Sequence, residues 1–243
     1  MCLAEMRAIS RIALAAGAAL ALVPAAAEAA IVVASSGPSA PAYPVGRKLD
    51  DKDSVVLKAG DTVTVLDAKG TRVLRGAGTF AVSAGAGAAA RSSTFAVLTM
   101  QRAAQRVRTG AVRAGQGSEP LANPNLWFVD VGKPGKRCVV AGQPVRLWRL
   151  DTGLAATYSA KLDGGAAVPL AFPAGAMVAS WDAARGPVRD GSVLELSEGG
   201  ITSRYTFAVL PVAPADAEAM ATTLIANGCT AQLDQLSTTL ARP

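Results

Sequence analysis

Leu126-Trp-Phe-Val-Asp-Val131, Pro144-Val-Arg-Leu-Trp-Arg149, Ala155-Ala-Thr-Tyr-Ser159, Ala166-Ala-Val-Pro-Leu170, Met177-Val-Ala-Ser-Trp181, Ser192-Val-Leu-Glu-Leu196 and Tyr205-Thr-Phe-Ala-Val-Leu210 are short runs of β-branched, aromatic and aliphatic residues. Gly or Pro punctuates nearly every gap between them, and Arg189-Asp-Gly191 has the composition of a turn. Such runs at intervals near ten residues predict a β-sandwich of immunoglobulin-like kind over 126–212, with Trp127, Trp148 and Trp181 in its core.

Upstream, a smaller β unit is predicted over 30–82. Val55-Val-Leu57, Thr62-Val-Thr-Val-Leu66 and Arg72-Val-Leu74 alternate with the turn compositions Ala59-Gly60-Asp61 and Asp67-Ala-Lys-Gly70. In the second run Val63 and Val65 share one face, while Thr62, Thr64 and Leu66 share the other, as in a half-buried strand. Gly76-Ala-Gly78-Thr-Phe80 closes the unit. The stretch Leu57-Lys-Ala-Gly-Asp61-Thr-Val-Thr-Val-Leu66 followed by Gly70-Thr-Arg-Val-Leu74 resembles the core of FecR-like periplasmic β domains of exported Gram-negative proteins. That resemblance covers about fifty residues and implies a β module for contacts within the envelope. The cytoplasmic segment and spanning helix of FecR regulators have no counterpart in this sequence.

The first residues predict export. Arg7 and Arg11 precede the uncharged run Ile12–Val23, which ends at Pro24. A run of this length suits a signal-peptide core of about 7–15 residues, whereas a membrane span needs about 20. Small residues allow cleavage after Ala27 or Ala29, so 1–29 is read as a signal peptide, with Met1 or Met6 as the start. Cys2 leaves with it. Cys138 and Cys229 remain, and in an oxidising compartment an even pair predicts a disulfide. Closing that loop stabilises by about 4–5 kcal/mol on the chain-entropy model.

Residues 83–125 read as a basic connecting segment. Arg91, Arg102, Arg106, Arg108 and Arg113 occur in a stretch without an acid, and carry most of the formal charge of +6. They are candidate contacts for an anionic partner: lipid headgroups at a membrane surface, an acidic glycan or an acidic protein. Phe95 alone is available there for base stacking, and export removes the chain from nucleic acid, so no nucleic-acid partner is expected. Ser92 or Ser93 can cap a helix to about Val107 with Phe95 and Leu98 on its buried face. Thr94-Phe-Ala-Val-Leu98 also suits a strand. Two short helices are expected in 213–243: one from Pro214 to Asn227-Gly228, and one from Thr230 to about Leu240 with Leu233, Leu236 and Leu240 on one face.

The chain has no histidine, which removes Ser-His-Asp and Cys-His catalysis and the common His-containing zinc sites. Gly-x-Ser-x-Gly, dinucleotide-loop and calcium-loop patterns are absent, and no cofactor or metal is expected. Asp182, Asp190, Glu195 and Glu198 are the carboxylates nearest one another in sequence and would serve a glycan-cleaving enzyme if two faced across a cleft. The composition favours a non-catalytic exported adaptor binding an envelope protein or glycan. A carboxylate-dependent glycan enzyme and a periplasmic sensor coupled to transcription are the alternatives. Mature protein denatured without reductant is expected to show no reactive thiol in a free-sulfhydryl assay; two reactive thiols would refute the pairing.

Overall fold

The computed structural model describes residues 30–67, 70–82, 91–100 and 123–241, with the backbone alone at 91–93 and 183; the segment 1–29, expected from the sequence to be a signal peptide, lies outside these residues. The chain is mainly β. Its first unit holds β1 (Ala30–Ser36), β2 (Lys48–Leu49), β3 (Ser54–Leu57), β4 (Thr62–Asp67), β5 (Gly70–Arg75) and β6 (Gly78–Ala81). They form a sheet of order β2-β1-β4-β5 and a separate β3-β6 pair. The alternation read in Thr62–Leu66 is observed, with Val63 and Val65 buried against the β3-β6 pair. Strand β1, which the sequence did not mark, is buried on both faces. Ala30 and Val32 join the core beneath β3-β6, while Ile31 and Val33 face the opposite way. A strand covered on both sides reads as an unbroken apolar run rather than an alternating one.

Helix α1 (Arg91–Thr99) follows, so the helical reading of 94–98 holds, but the helix stops at Thr99 rather than near Val107. The exposed carbonyls at its end take donors from further along the chain. Leu98 accepts from the Leu126 N–H (2.9 Å), Thr99 from the Trp127 indole (3.0 Å) and Met100 from the Asn125 carboxamide (2.8 Å).

Residues 126–212 form the sandwich, from β7 (Phe128–Asp130), β8 (Gly135–Val140), β9 (Arg146–Trp148), β10 (Ala156–Leu162), β11 (Val168–Phe172), β12 (Val178–Ser180), β13 (Val193–Glu198) and β14 (Ile201–Leu210). One sheet has the order β11-β10-β13-β14-β8 and the other β12-β9-β7. Val129 and Leu147 of the smaller sheet pack with Leu170, Phe172, Leu194, Leu196, Tyr205 and Phe207 of the larger, giving one core between them. Two pairings, β8 with β14 and β7 with β9, are parallel. Both edges of the larger sheet are blocked. Pro169 on β11 lacks an N–H, and its carbonyl is taken by the Arg185 guanidinium (2.9 Å). The β8 edge is closed by a side chain from the C-terminal helices.

Those helices are α2 (Ala217–Ala226) and α3 (Thr230–Ala241). Asp216 caps α2 by accepting from Ala219 N–H (2.8 Å). At its other end Gly228 adopts φ +68°, donating to Ile225 C=O (3.0 Å) while Cys229 N–H donates to Leu224 C=O (2.8 Å). These are the two bonds of a Schellman cap, and they fix the direction in which α3 departs. Met220, Leu224, Leu233, Leu236 and Leu240 then pack with Ile31, Val33 and Leu66 of the first unit and with Leu126, Ala208 and Leu210 of the sandwich. The helices are therefore a middle layer between the two β units.

At the junction Gln232, 3% exposed, accepts from Cys138 N–H (2.7 Å) and donates to the carbonyls of Cys138 (2.8 Å) and Leu126 (2.9 Å). The N–H and C=O of a strand residue point to the same edge, so this one carboxamide replaces a neighbouring strand at Cys138. Gln232→Ala strands three buried polar groups at about 1–3 kcal/mol each, partly relieved by water. A loss of about 3 kcal/mol is expected by denaturant unfolding, against less than 0.5 kcal/mol for an exposed control such as Ser237→Ala; equal effects would refute the role.

Candidate binding groove and its surroundings

Cys138 and Cys229 are bonded (S–S 1.95 Å, Cα–Cα 5.9 Å), and both are fully buried. The pairing expected from composition is therefore present, and it ties the start of α3 to β8 three residues before the Gln232 clamp. Of the arginines singled out as anion contacts, Arg91 opens α1, and Arg102, Arg106, Arg108 and Arg113 lie outside the described residues. The segment carrying those four is bounded by Met100 and Asn123. Its flanks are joined by the three hydrogen bonds from 125–127 to 98–100 and by Gln235 donating to Asn123 C=O (2.8 Å).

The four carboxylates weighed for acid–base work occupy separate local roles. Asp182 accepts from Ala184 N–H (2.9 Å) at the start of a single 3-10 turn, and Asp190 accepts from Val209 N–H (3.0 Å). Glu195 pairs with Arg204, its cross-strand neighbour. Glu198 lies at the end of β13 and interacts with the Tyr158 hydroxyl; burial first, and this carboxylate second, hold that phenol above its ordinary value. Nothing in the geometry brings two of the four to one cleft. Among the described residues no group of three Cys, Asp or Glu is placed to hold a metal ion, and no helix is long and apolar enough to cross a membrane.

A groove of about 580 Å³ lies between α1, the facing ends of β4 and β5, the N-terminal turn of α2 and the end of α3. Phe95, Ala96 and Met100 form one wall, Ala215 and Ala217 the opposite wall, and Leu240 contributes from α3. Its three carboxylates are already engaged. Asp67 pairs with Arg72 (3.3 Å), Asp216 caps α2, and Glu218 meets Lys48 at 3.6 Å. With these carboxylates held in structural pairings, the groove offers a mixed surface of apolar side chains beside engaged polar ones. Sequence reasoning did not find it, because it assembles Asp67 and Gly70 with residues from 95–100, 214–218 and 240, each unremarkable in its own segment.

The Ala59-Gly60-Asp61 turn, which carried the family resemblance, has a structural role. Asp61 is 2% exposed and accepts from Ser39 N–H (2.9 Å) and from Lys58 N–H, while its own carbonyl accepts from Gly76 N–H (3.0 Å). Three turns thus meet on one residue. Gly37 (φ +97°) lies so close that an added Cβ would fall 2.5 Å from the Asp61 carboxylate. No family model, curated protein or solved structure matches the chain.

Burial alone would raise the Asp61 pKa, but the hydrogen bonds from Ser39 and Lys58, with the nearby Lys58 ammonium, outweigh it and hold the carboxyl below its ordinary value. A group with a depressed folded pKa contributes stability above its unfolded value, about 4, and loses that contribution as pH falls through the folded value. The native chain is expected to lose stability on acidification below about pH 4. Asp61→Asn should be less stable at neutral pH, with a weaker acid dependence; thermal melts across this range check it, and parallel curves would refute it.

Proposed function

We propose that the chain is a non-catalytic, exported envelope protein that acts as an adaptor, presenting its β units and the groove between α1 and α2 to another envelope component, a protein or a glycan. The observation that carries this reading is the groove itself: a concavity of ligand-binding size whose walls are apolar and whose carboxylates are all occupied by structural partners. The buried disulfide supports residence in an oxidising compartment, the periplasm or the exterior. The basic segment carrying Arg102, Arg106, Arg108 and Arg113 follows Met100, a groove residue, in the sequence.

In this reading binding energy comes from burial of apolar area in the groove, and the arginines raise the encounter rate with anionic partners. The test is crosslinking in intact envelopes followed by purification of the chain. A discrete partner is expected, and Ala96→Arg with Met100→Glu, both at exposed positions, should reduce its recovery at least fivefold while leaving the melting temperature unchanged. Undiminished recovery, or turnover of an envelope substrate by the purified protein, would contradict the proposal.

A further inference from the structure

β7 is the outer strand of the smaller sheet and β8 the outer strand of the larger. Between these two strands, the turn that joins them and the first turns of α3 lies a cavity of about 10 Å³, whose wall includes Asn123, Asp130, Lys133, Arg137, Gln232 and Gln235. That is room for one particle of about the size of a water molecule.

Arg137 is the residue in this wall whose polar groups are not met. It is 2% exposed, its Nη1 donates to Lys136 C=O (3.2 Å), and its Nη2 is buried with no partner. Among the described residues no carboxylate forms an ion pair with it. Acceptors in the wall are engaged elsewhere: Asp130 Oδ1 takes Gly132 N–H (2.9 Å), Asn123 Oδ1 takes Asn125 N–H (3.2 Å) and Gln232 Oε1 takes Cys138 N–H (2.7 Å). Burial pushes the Arg137 pKa below its ordinary value, and the charge of Asp130, second in size, does not restore it. A guanidinium keeps its proton in a folded chain, so the buried charge calls for a counterion.

Water in the cavity would satisfy an N–H and leave the charge uncompensated, whereas an anion answers both needs. The wall sets two cations, Arg137 and Lys133, against one acid, Asp130, and a single monovalent anion cancels the surplus of one positive charge. The volume admits a halide and excludes a phosphate or a sulfate. Lys133 is exposed, so its ammonium is free to approach such an ion from the solvent side.

We propose that this cavity is a halide site, in which one chloride ion is held by Arg137 and Lys133 between β7, β8 and α3. The ion fastens the same contact as the disulfide and the Gln232 carboxamide, so the seating of α3 on the sandwich depends on chloride. The site shares no residue with the groove, and the adaptor reading stands or falls independently of it.

The test is crystallisation of the oxidised chain with sodium bromide in place of chloride, read by anomalous diffraction. A bromide peak is expected in the cavity against Arg137. A cavity that holds water alone overturns the site, and so do bromide peaks confined to the protein surface. In solution, the excess chlorine NMR line broadening caused by the native chain is expected to fall at least tenfold in Arg137→Gln. Arg204→Gln, at an exposed cation paired with Glu195, should broaden the line as the native chain does. Where Arg137→Gln does not fold, Lys133→Glu takes its place, since it brings an acid to the cavity wall from an exposed position. Broadening that survives the cavity substitution assigns chloride to other surfaces and overturns the proposal.

Discussion

The contact between β8 and the first turn of α3 is the constraint on which the remaining architecture rests. β8 is the parallel outer strand of the larger sheet, and an uncovered edge of that kind invites pairing with another chain. Two devices from one helical turn close it: the Cys229 bridge to Cys138, and the Gln232 carboxamide bonded to both backbone groups of the same cysteine. The bridge restricts the unfolded chain, and the carboxamide satisfies the folded one. Because the Schellman cap at Gly228 sets the angle between α2 and α3, fixing α3 on β8 also fixes where α2 lies.

From that placement the relation of the two β units follows. With α3 held against the sandwich, Leu224 and Met220 of α2 and Leu236 and Leu240 of α3 meet Ile31, Val33 and Leu66 of the first unit in one continuous core. β1 is then buried from both sides, and the groove beside α1 is the part of that seam left uncovered. A binding surface at such a seam has rigid walls, since its residues stand on elements anchored in the shared core. The loops at 149–155 and 173–177 are held by another route, in which the buried guanidinium of Arg149 organises both through the carbonyls of Leu154, Pro173 and Ala176.

How much of this could be read from the sequence depended on where each residue buries its polar groups. Strands with one wet face, such as Thr62–Asp67 and Val193–Glu198, announce themselves by alternation, and the end of α2 at Asn227-Gly228 is written in capping chemistry, whereas its start, expected at Pro214, falls after the Asp216 cap, and Thr230, expected as a cap, is the first residue of α3. The disulfide was legible from cysteine number and compartment. β8 was not: Gly135-Lys-Arg-Cys-Val-Val140 opens with two cations and has no period of two, and Arg137 is buried despite its charge. Helix α1 was ambiguous because Thr94–Leu98 suits either period. The groove and the β8 clamp were invisible for a common reason: Gln232 and Cys138 are distant in sequence, and a glutamine in a helix carries no local sign that its amide will serve as a strand.

If the two β units share one core through α2 and α3, they should unfold together. Differential scanning calorimetry of the oxidised mature chain tests this most directly. The account predicts a single transition with a van't Hoff enthalpy matching the calorimetric one. Two resolved transitions, with the strands of 30–82 melting apart from the sandwich, would contradict it.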